Sequence, residues 1–349
     1  MSRPRVVVAA VHTPFLTGGA ERHVARLTEE LSARGVDAEL VTMPLFDRTH
    51  ADLVRSALAW RIGDFTRFAG RDVDALITTR FPSFVARHPR KVAWVIHQHR
   101  PVYDQFATPY SDFETHEEDL DIRRMIHRMD ARGLGESRRV FANSKNVAER
   151  LARYSGIASE PLYHPPPLAG RYRDDGPGDY ALWVGRLERW KRPGLAIGAL
   201  AAAPEARLKV VGEGPERDAL AQYARSIGVA DRCDLVGRPS EAELIALFAG
   251  ARLVVVTAAD EDYGYVPLEA FLSGKAVLTV SDAGGPLEFV RDGKSGIVTA
   301  PEPAALGAAL RTLWPRTAEL AAMARSGRAE VEKISWENVI GKLLGAAGL

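Results

Sequence analysis

The chain has 349 residues, room for a little over two domains of about 150 residues each. Apolar residues make up 46% and charged ones 26%, a globular mix that excludes disordered, collagen-like and coiled-coil chains. Lys plus Arg number 46 against 45 Asp plus Glu, and this net charge of +1 leaves no field to hold a polyanion, so no nucleic-acid partner is expected.

The single cysteine, Cys233, excludes a disulfide framework and any Cys-based zinc or iron–sulfur centre, and suits a reducing compartment. No stretch offers the roughly 20 apolar residues of a bilayer span. Residues 6–11 are apolar and follow Arg3 and Arg5, but the run is short and leads into His12-Thr13-Pro14. It reads as a buried strand rather than a signal sequence, and a cytoplasmic location is expected.

In chain order, residues 5–11, 38–42, 74–78, 91–96 and 139–142 read as strands, with helices such as 20–33 and 112–132 between them. After them come strands at 180–184, 207–211, 234–236, 253–257, 276–279 and 296–298, with helices at 193–203, 215–227, 241–248 and 267–273. Strands without polar alternation, each followed by a helix, imply parallel sheets covered on both faces. The alternation pauses once, at His164-Pro165-Pro166-Pro167 and Asp174-Asp175-Gly176-Pro177-Gly178, a stiff step and then a turn. Two doubly wound α/β domains facing across a cleft are predicted, residues 1–168 and 169–334. A final amphipathic helix within 335–349 could cross back onto the first.

Two motifs are decoys. Gly212-Glu213-Gly214-Pro215 follows a strand as a dinucleotide fingerprint would, yet its third glycine position is Arg217. Gly293-Lys294-Ser295 resembles a phosphate loop whose upstream glycine is replaced by Glu288. Gly18-Gly19-Ala20-Glu21 joins the first strand to the first helix and would let bare backbone approach an anion, or would serve as an ordinary turn. Gly185-Arg186, with Lys191 five residues further on, places cations at a strand's carboxyl end, where such sheets bind ligands; a solvated Arg/Lys run is the plainer reading.

The richest stretch is Glu261-Asp262-Tyr263-Gly264-Tyr265-Val266-Pro267-Leu268-Glu269. Here Glu261 is expected in the loop after a strand and Glu269 in the first turn of the following helix. The two carboxylates bracket the amides of Gly264, Tyr265 and Val266 at the helix's positive end. That layout suits a sugar-phosphate, although Glu269 would also complement a helix dipole.

With seven residues between Glu261 and Glu269, the chain resembles the retaining family-4 glycosyltransferases of the GT-B fold. Gly18-Gly19-Ala20-Glu21, Gly185-Arg186…Lys191, Val211–Pro215 and Ala283-Gly284-Gly285…Glu288 fall in the same order as that family's counterparts. The resemblance implies a hexosyltransferase using a nucleotide-sugar donor, GDP- or UDP-linked, and a sugar, lipid-linked sugar or small-molecule acceptor. It implies that Arg186 and Lys191 hold the diphosphate with the backbone of Gly18 and Gly19. Glu269 would accept the ribose hydroxyls, Glu261 would meet the transferred sugar, and Gly264, Tyr265 and Val266 would supply amides. Gly237 and Arg238 fall in the base-binding loop.

In the first domain His97, or else His99, would touch the donor sugar, while Arg100, Tyr103 and Asp104 are candidates for the acceptor side. Phe81-Pro82-Ser83 and residues 105–118 would help shape it. Asp260-Glu261-Asp262 spells a cation-binding Asp-x-Asp, but the cationic pair already supplies charge, so no metal and no other cofactor are expected. A nucleotide-sugar epimerase or a nucleotide-sugar binding protein on the same scaffold is the alternative. Peripheral membrane contact stays open through Arg55, Arg61, Arg67 and Arg71 with Trp60, Phe65 and Phe68, against an amphipathic helix packed on its own sheet.

Overall fold

The computed structural model of the protein describes residues 3–15 and 18–349. The chain divides into two compact units, Met1–Pro167 with Ser335–Leu349, and Leu168–Ile334. The first part of the chain forms strands β1 (Arg5–His12), β2 (Asp37–Pro44), β3 (Arg67–Phe68), β4 (Arg71–Asp72), β5 (Ala75–Thr78), β6 (Lys91–Val95), β7 (Arg139–Ala142) and β8 (Glu160–Pro161). Helices α1 (Gly19–Ala33), α2 (His50–Ile62), α3 (Glu117–Gly135) and α4 (Lys145–Ser155) lie among them. The second unit has β9 (Ala181–Val184), β10 (Leu208–Val211), β11 (Cys233–Gly237), β12 (Leu253–Val256), β13 (Val277–Val280) and β14 (Gly296–Thr299). Its helices are α5 (Pro193–Ala199), α6 (Arg217–Ser226), α7 (Glu241–Ala249), α8 (Tyr265–Leu272), α9 (Pro303–Leu313) and α10 (Thr317–Val331), and α11 (Trp336–Ala347) follows.

In the first unit a parallel sheet has the order β2-β1-β5-β6-β7-β8. Side chains alternate across a strand, so β1 feeds two cores. Val7, Ala9 and Val11 meet Leu53, Ala57 and Trp60 of α2 and Ile122 and Ile126 of α3. Val6, Val8 and Ala10 meet Val24, Leu27 and Leu31 of α1 and Trp336, Val339, Ile340 and Leu343 of α11. Without α11 the part of that face over β5 and β6, with Ile77, Val92 and Trp94, would stay wet, at about 1.5–3 kcal/mol per large apolar side chain. Trp60 and Phe65 are core residues of the first unit, whereas Phe68 is exposed. The described residues contain no helix long and apolar enough to cross a membrane.

The second unit is a parallel sheet in the order β11-β10-β9-β12-β13-β14. Its central strand β12 is buried along its whole length, whereas the edge strand β11 alternates between half-buried and exposed residues. Where helix limits differ from the sequence reading, local chemistry explains it. Helix α8 starts at Tyr265, two residues early, because Gly264 takes a left-handed φ of 80° as its N-cap and Pro267 sits in the first turn, where an amide lacks an intrahelical acceptor anyway. Glu269 is thus in the second turn, not the first. Helix α3 starts at Glu117, its acidic first turn complementing the dipole, while Asp112 stays outside as a partner of His50 at 3.3 Å.

Candidate functional site

The second sheet reverses its winding at β9, with β10 on one side and β12 on the other, so the loops after β9 and β12 diverge at the strands' carboxyl ends. The first of these loops carries Gly185, Arg186 and a short 3-10 turn, Arg189–Lys191; the second carries Glu261 and ends at Gly264. They are tied together. The Ala259 amide donates to the Trp190 carbonyl at 2.9 Å. The Thr257 hydroxyl, which accepts from the Trp183 indole at 2.8 Å, lies 2.9 and 3.0 Å from the carbonyls of Lys191 and Arg192. On this frame the Lys191 ammonium pairs with the Glu261 carboxylate, both about one-fifth exposed (19%), and stands 4.2 Å over the Trp190 ring.

The glycines around the crevice are there for backbone approach. A Cβ on Gly212 would lie 1.8 Å from the Gly185 carbonyl oxygen, and one on Gly214 would lie 2.4 Å from that of Leu187. The Gly-Glu-Gly-Pro decoy therefore lets the loop after β10 lie against the loop after β9. After β13, Gly285 is equally cramped, since its Cβ would sit 2.7 Å from the Asp262 carbonyl. The Glu261 amide donates to the Ala283 carbonyl and the Gly285 amide to that of Glu261, each at 2.8 Å.

The expected donor residues are not equivalent. Lys191 and Glu261 come together, and the Gly264–Val266 amides open the N-terminus of α8 beside them in sequence. Arg186 does not join them; its side chain is 58% exposed and pairs with Glu188, which also accepts from the Trp190 indole at 2.9 Å. Glu269 is buried, with Oε1 receiving the Tyr172 hydroxyl at 2.8 Å. Gly237, at φ 83°, ends β11 and gives its carbonyl to the Gly212 amide at 2.9 Å, while Arg238 is exposed. Among the described residues no group of three or more His, Cys, Asp and Glu side chains is arranged to hold a metal ion.

The first sheet has its own reversal, at β1 between β2 and β5. Gly18 caps α1 there, with its amide donating to Glu21 at 2.9 Å, and Gly19 is the first helical residue. Arg80, after β5, donates to Glu21 Oε1 at 2.7 Å and through Nε to the Val11 carbonyl at 3.2 Å, joining the two loops. Burial works to raise the Glu21 carboxyl, but Arg80 and the Gly18 amide hold it below the usual range. His97 is half-buried after β6. His99 packs between Phe81 and Phe113, with centroids 5.4 and 6.1 Å away, and burial pushes its imidazole down to about 4, so it is neutral at physiological pH.

Two residues expected on the acceptor side lie in the interior of the first unit. Tyr103 is 3% exposed, stacks on His127 at 4.2 Å and donates to Asp130 at 2.7 Å. Burial raises both the Tyr103 phenol and the Asp130 carboxyl, the latter to about 8. Asp104 lies between two guanidiniums, accepting from Arg100 at 2.6 Å with Arg150 at 3.5 Å. Tyr103 and Asp104 thus belong to the interior polar packing of the first unit, with the Tyr103 hydroxyl and Asp104 Oδ2 hydrogen-bonded and Asp104 Oδ1 facing Arg150. Sequence reasoning passed over Arg80, Tyr172, Arg192, Thr257 and Asp282. Their signal is a partner distant in sequence, which spacing alone does not carry.

Cations, carboxylates and helix amides gathered at the reversal point of a parallel sheet are what an enzyme needs to transfer a group away from an anionic leaving group. Residues 171–329 match the family model described as Glycosyl transferases group 1, and residues 17–166 that described as Glycosyltransferase Family 4. The chain is 27% identical to the D-inositol 3-phosphate glycosyltransferase of Rhodococcus jostii over 98% of its own length and 89% of that protein's. Among solved structures, the sucrose-phosphate synthase of Thermosynechococcus elongatus superposes with a TM-score of 0.76 at 20% identity, covering 98% of both chains. Anabaena HepE, solved in complex with UDP-glucose, superposes at 0.68 and 19% identity over 99% of both chains. The chain belongs to the family-4 glycosyltransferases of the GT-B fold, and it is a glycosyltransferase.

Proposed function

We propose that this glycosyltransferase moves a hexose from a nucleoside-diphosphate sugar to an acceptor hydroxyl, with retention of anomeric configuration and without an essential metal. The observation that carries the reading is the Lys191–Glu261 pair at the sheet's reversal point, beside the N-terminus of α8. In the transition state the bond from the anomeric carbon to the diphosphate lengthens, and negative charge grows on the leaving oxygen. The Lys191 ammonium and the first amides of α8 are fixed dipoles and charge aimed at that oxygen. Glu261 is placed to exchange part of its contact with Lys191 for sugar hydroxyls.

Glu269, with one oxygen held by Tyr172, keeps acceptor capacity for ribose hydroxyls. Arg186 reaches the diphosphate by exchanging Glu188 for it, a small rearrangement for an exposed side chain. A UDP-linked donor is favoured over a GDP-linked one by the UDP-glucose complex of HepE. His97 is assigned to the donor sugar because the His99 ring is packed between Phe81 and Phe113, and Arg100 is a candidate on the acceptor side. The test is calorimetric titration with UDP, GDP and dTDP, with and without EDTA. Selective binding of one nucleotide, indifferent to EDTA, is expected; no binding to any of them overturns the donor assignment, and binding lost in EDTA overturns the metal-free one.

A further inference from the structure

Arg192 directly follows Lys191, and its backbone sits at φ 51° and ψ 47°, the left-handed region that glycine occupies freely and an arginine only under strain. Its side chain is engaged on every nitrogen. Nε donates to the Thr257 carbonyl at 2.8 Å and Nη2 to that of Ala258 at 3.3 Å, both after β12. Nη1 and Nη2 grip both oxygens of Asp282, after β13, at 2.8 and 2.6 Å. Asp282 in turn starts the segment on which Glu261 is registered. The Asp260 amide donates to the Asp282 carbonyl at 2.8 Å, and the next two bonds of that ladder run through Glu261. One guanidinium therefore links the peptide that ends in Lys191 to the peptide that carries Glu261.

We propose that Arg192 is a positioning residue for the transfer reaction, fixing the Lys191 ammonium and the Glu261 carboxylate in one register across three strand-end loops. The proposal rests on the donor-site reading given above. Arg192 spends its hydrogen bonds on protein atoms and acts through its two neighbours. A lysine at this position would keep the charge but, as a single ammonium, would not bridge two carbonyls and both carboxylate oxygens in one plane.

The test compares Arg192→Gly, Arg192→Lys and wild type. Glycine relieves the backbone while deleting the fork, so Arg192→Gly is expected to melt cooperatively near the wild-type temperature. In both variants, turnover of UDP-glucose or GDP-mannose, read as nucleotide release, should fall roughly 10- to 100-fold in kcat, because misplaced charge is felt where charge develops. The KM for the intact donor should change by no more than about threefold, since the oxygen that leaves carries less charge before the bond breaks. Unchanged kcat in folded Arg192→Gly overturns the proposal, as does full activity in Arg192→Lys. A loss confined to nucleotide affinity overturns it too, since Arg192 would then hold the donor itself. Failure of both variants to fold also overturns it, by making Arg192 a structural brace. If wild type itself binds neither nucleotide, the donor-site reading falls first and this proposal with it.

Discussion

Under the first sheet two histidines face each other. His23 of α1 and His164 have ring centroids 4.2 Å apart, with Trp94 at 4.4 Å and Trp336 of α11 at 6.3 Å from His23. Both are 2% exposed, and neither ring nitrogen of His23 has a hydrogen-bond partner. Burial pushes the His164 imidazole down to about 3, while burial and the charge His164 would carry push His23 well below its ordinary range.

In the unfolded chain each would titrate near 6.5, so below that pH the unfolded state takes up protons that the folded state refuses. Their contribution to stability is full above about pH 6.5 and is lost as pH falls toward about 3. At pH 4.5, two units below the unfolded value, linkage gives about 3 kcal/mol of destabilisation for His164, with His23 adding in the same direction. The perturbation is thus a shift from pH 7.5 to pH 4.5. The assay is hydrogen exchange, corrected for intrinsic rate, across residues 336–347 and 19–33. Amide protection in α11 and α1 should drop by about a hundredfold, and a His23→Phe/His164→Phe double variant, with rings that do not titrate, should keep most of it. Equal loss in the double variant, or full protection of α11 at pH 4.5 in the wild type, would refute the reasoning.

Three further outcomes are expected. Gly212→Ala, with a new methyl 1.8 Å from the Gly185 carbonyl and a φ of 138° that only glycine holds easily, should destabilise the second unit by about 3 kcal/mol or more, seen as lost soluble expression or a collapsed melt. Lys191→Ala should reduce donor turnover by at least about a hundredfold with a melting temperature within a few degrees of wild type, because the charge it removes is needed mainly in the transition state; near-normal nucleotide release would sink the assignment. Asp130, whose buried carboxyl titrates at about 8, loses stability for the folded state as pH rises from the unfolded value near 4 toward 8. Asp130→Asn should therefore stabilise the first unit at pH 7, on the order of 1–2 kcal/mol, and flatten its urea-melt dependence over that interval.

Much of the architecture was legible because parallel strands announce themselves by unbroken apolar residues, as in β1 and β12, and because the apolar stripe of α11 has to be buried somewhere. Spacing singles out Glu261 and Glu269 and sets Lys191 after a strand, but leaves their roles open; that Lys191 meets Glu261 is a fact of the fold. Arg192 was not legible: among Arg186, Arg189 and Lys191 it reads as one more surface charge, and only its left-handed backbone and its bond to Asp282, ninety residues on, set it apart. The surroundings of Tyr103 and Asp104 are hidden from the sequence in another way. These two residues follow the histidines closely in sequence, but the 3-10 turn Arg100–Val102 carries the chain back into the core, where Asp130 and Arg150 take them up. The glycines of Gly212-Glu213-Gly214 stand out in the sequence, and the fold adds that they make room for the carbonyls of a neighbouring loop.

The membership of α11 in the first unit makes the second unit an insertion within the first. On the ribosome this inverts the usual order of maturation. Residues 168–334 are contiguous and can close their own sheet as soon as they emerge, whereas the face formed by Ala75 and Ile77 of β5 and Val92 and Trp94 of β6, which α11 covers, must wait for residues made at the end of synthesis. At about 5–20 residues per second, the stretch after residue 167 takes on the order of 10–40 s to make. For that interval the nascent first unit carries the β5–β6 part of one apolar sheet face without its lid, a window for chaperone binding that would close only when Trp336 and Leu343 arrive.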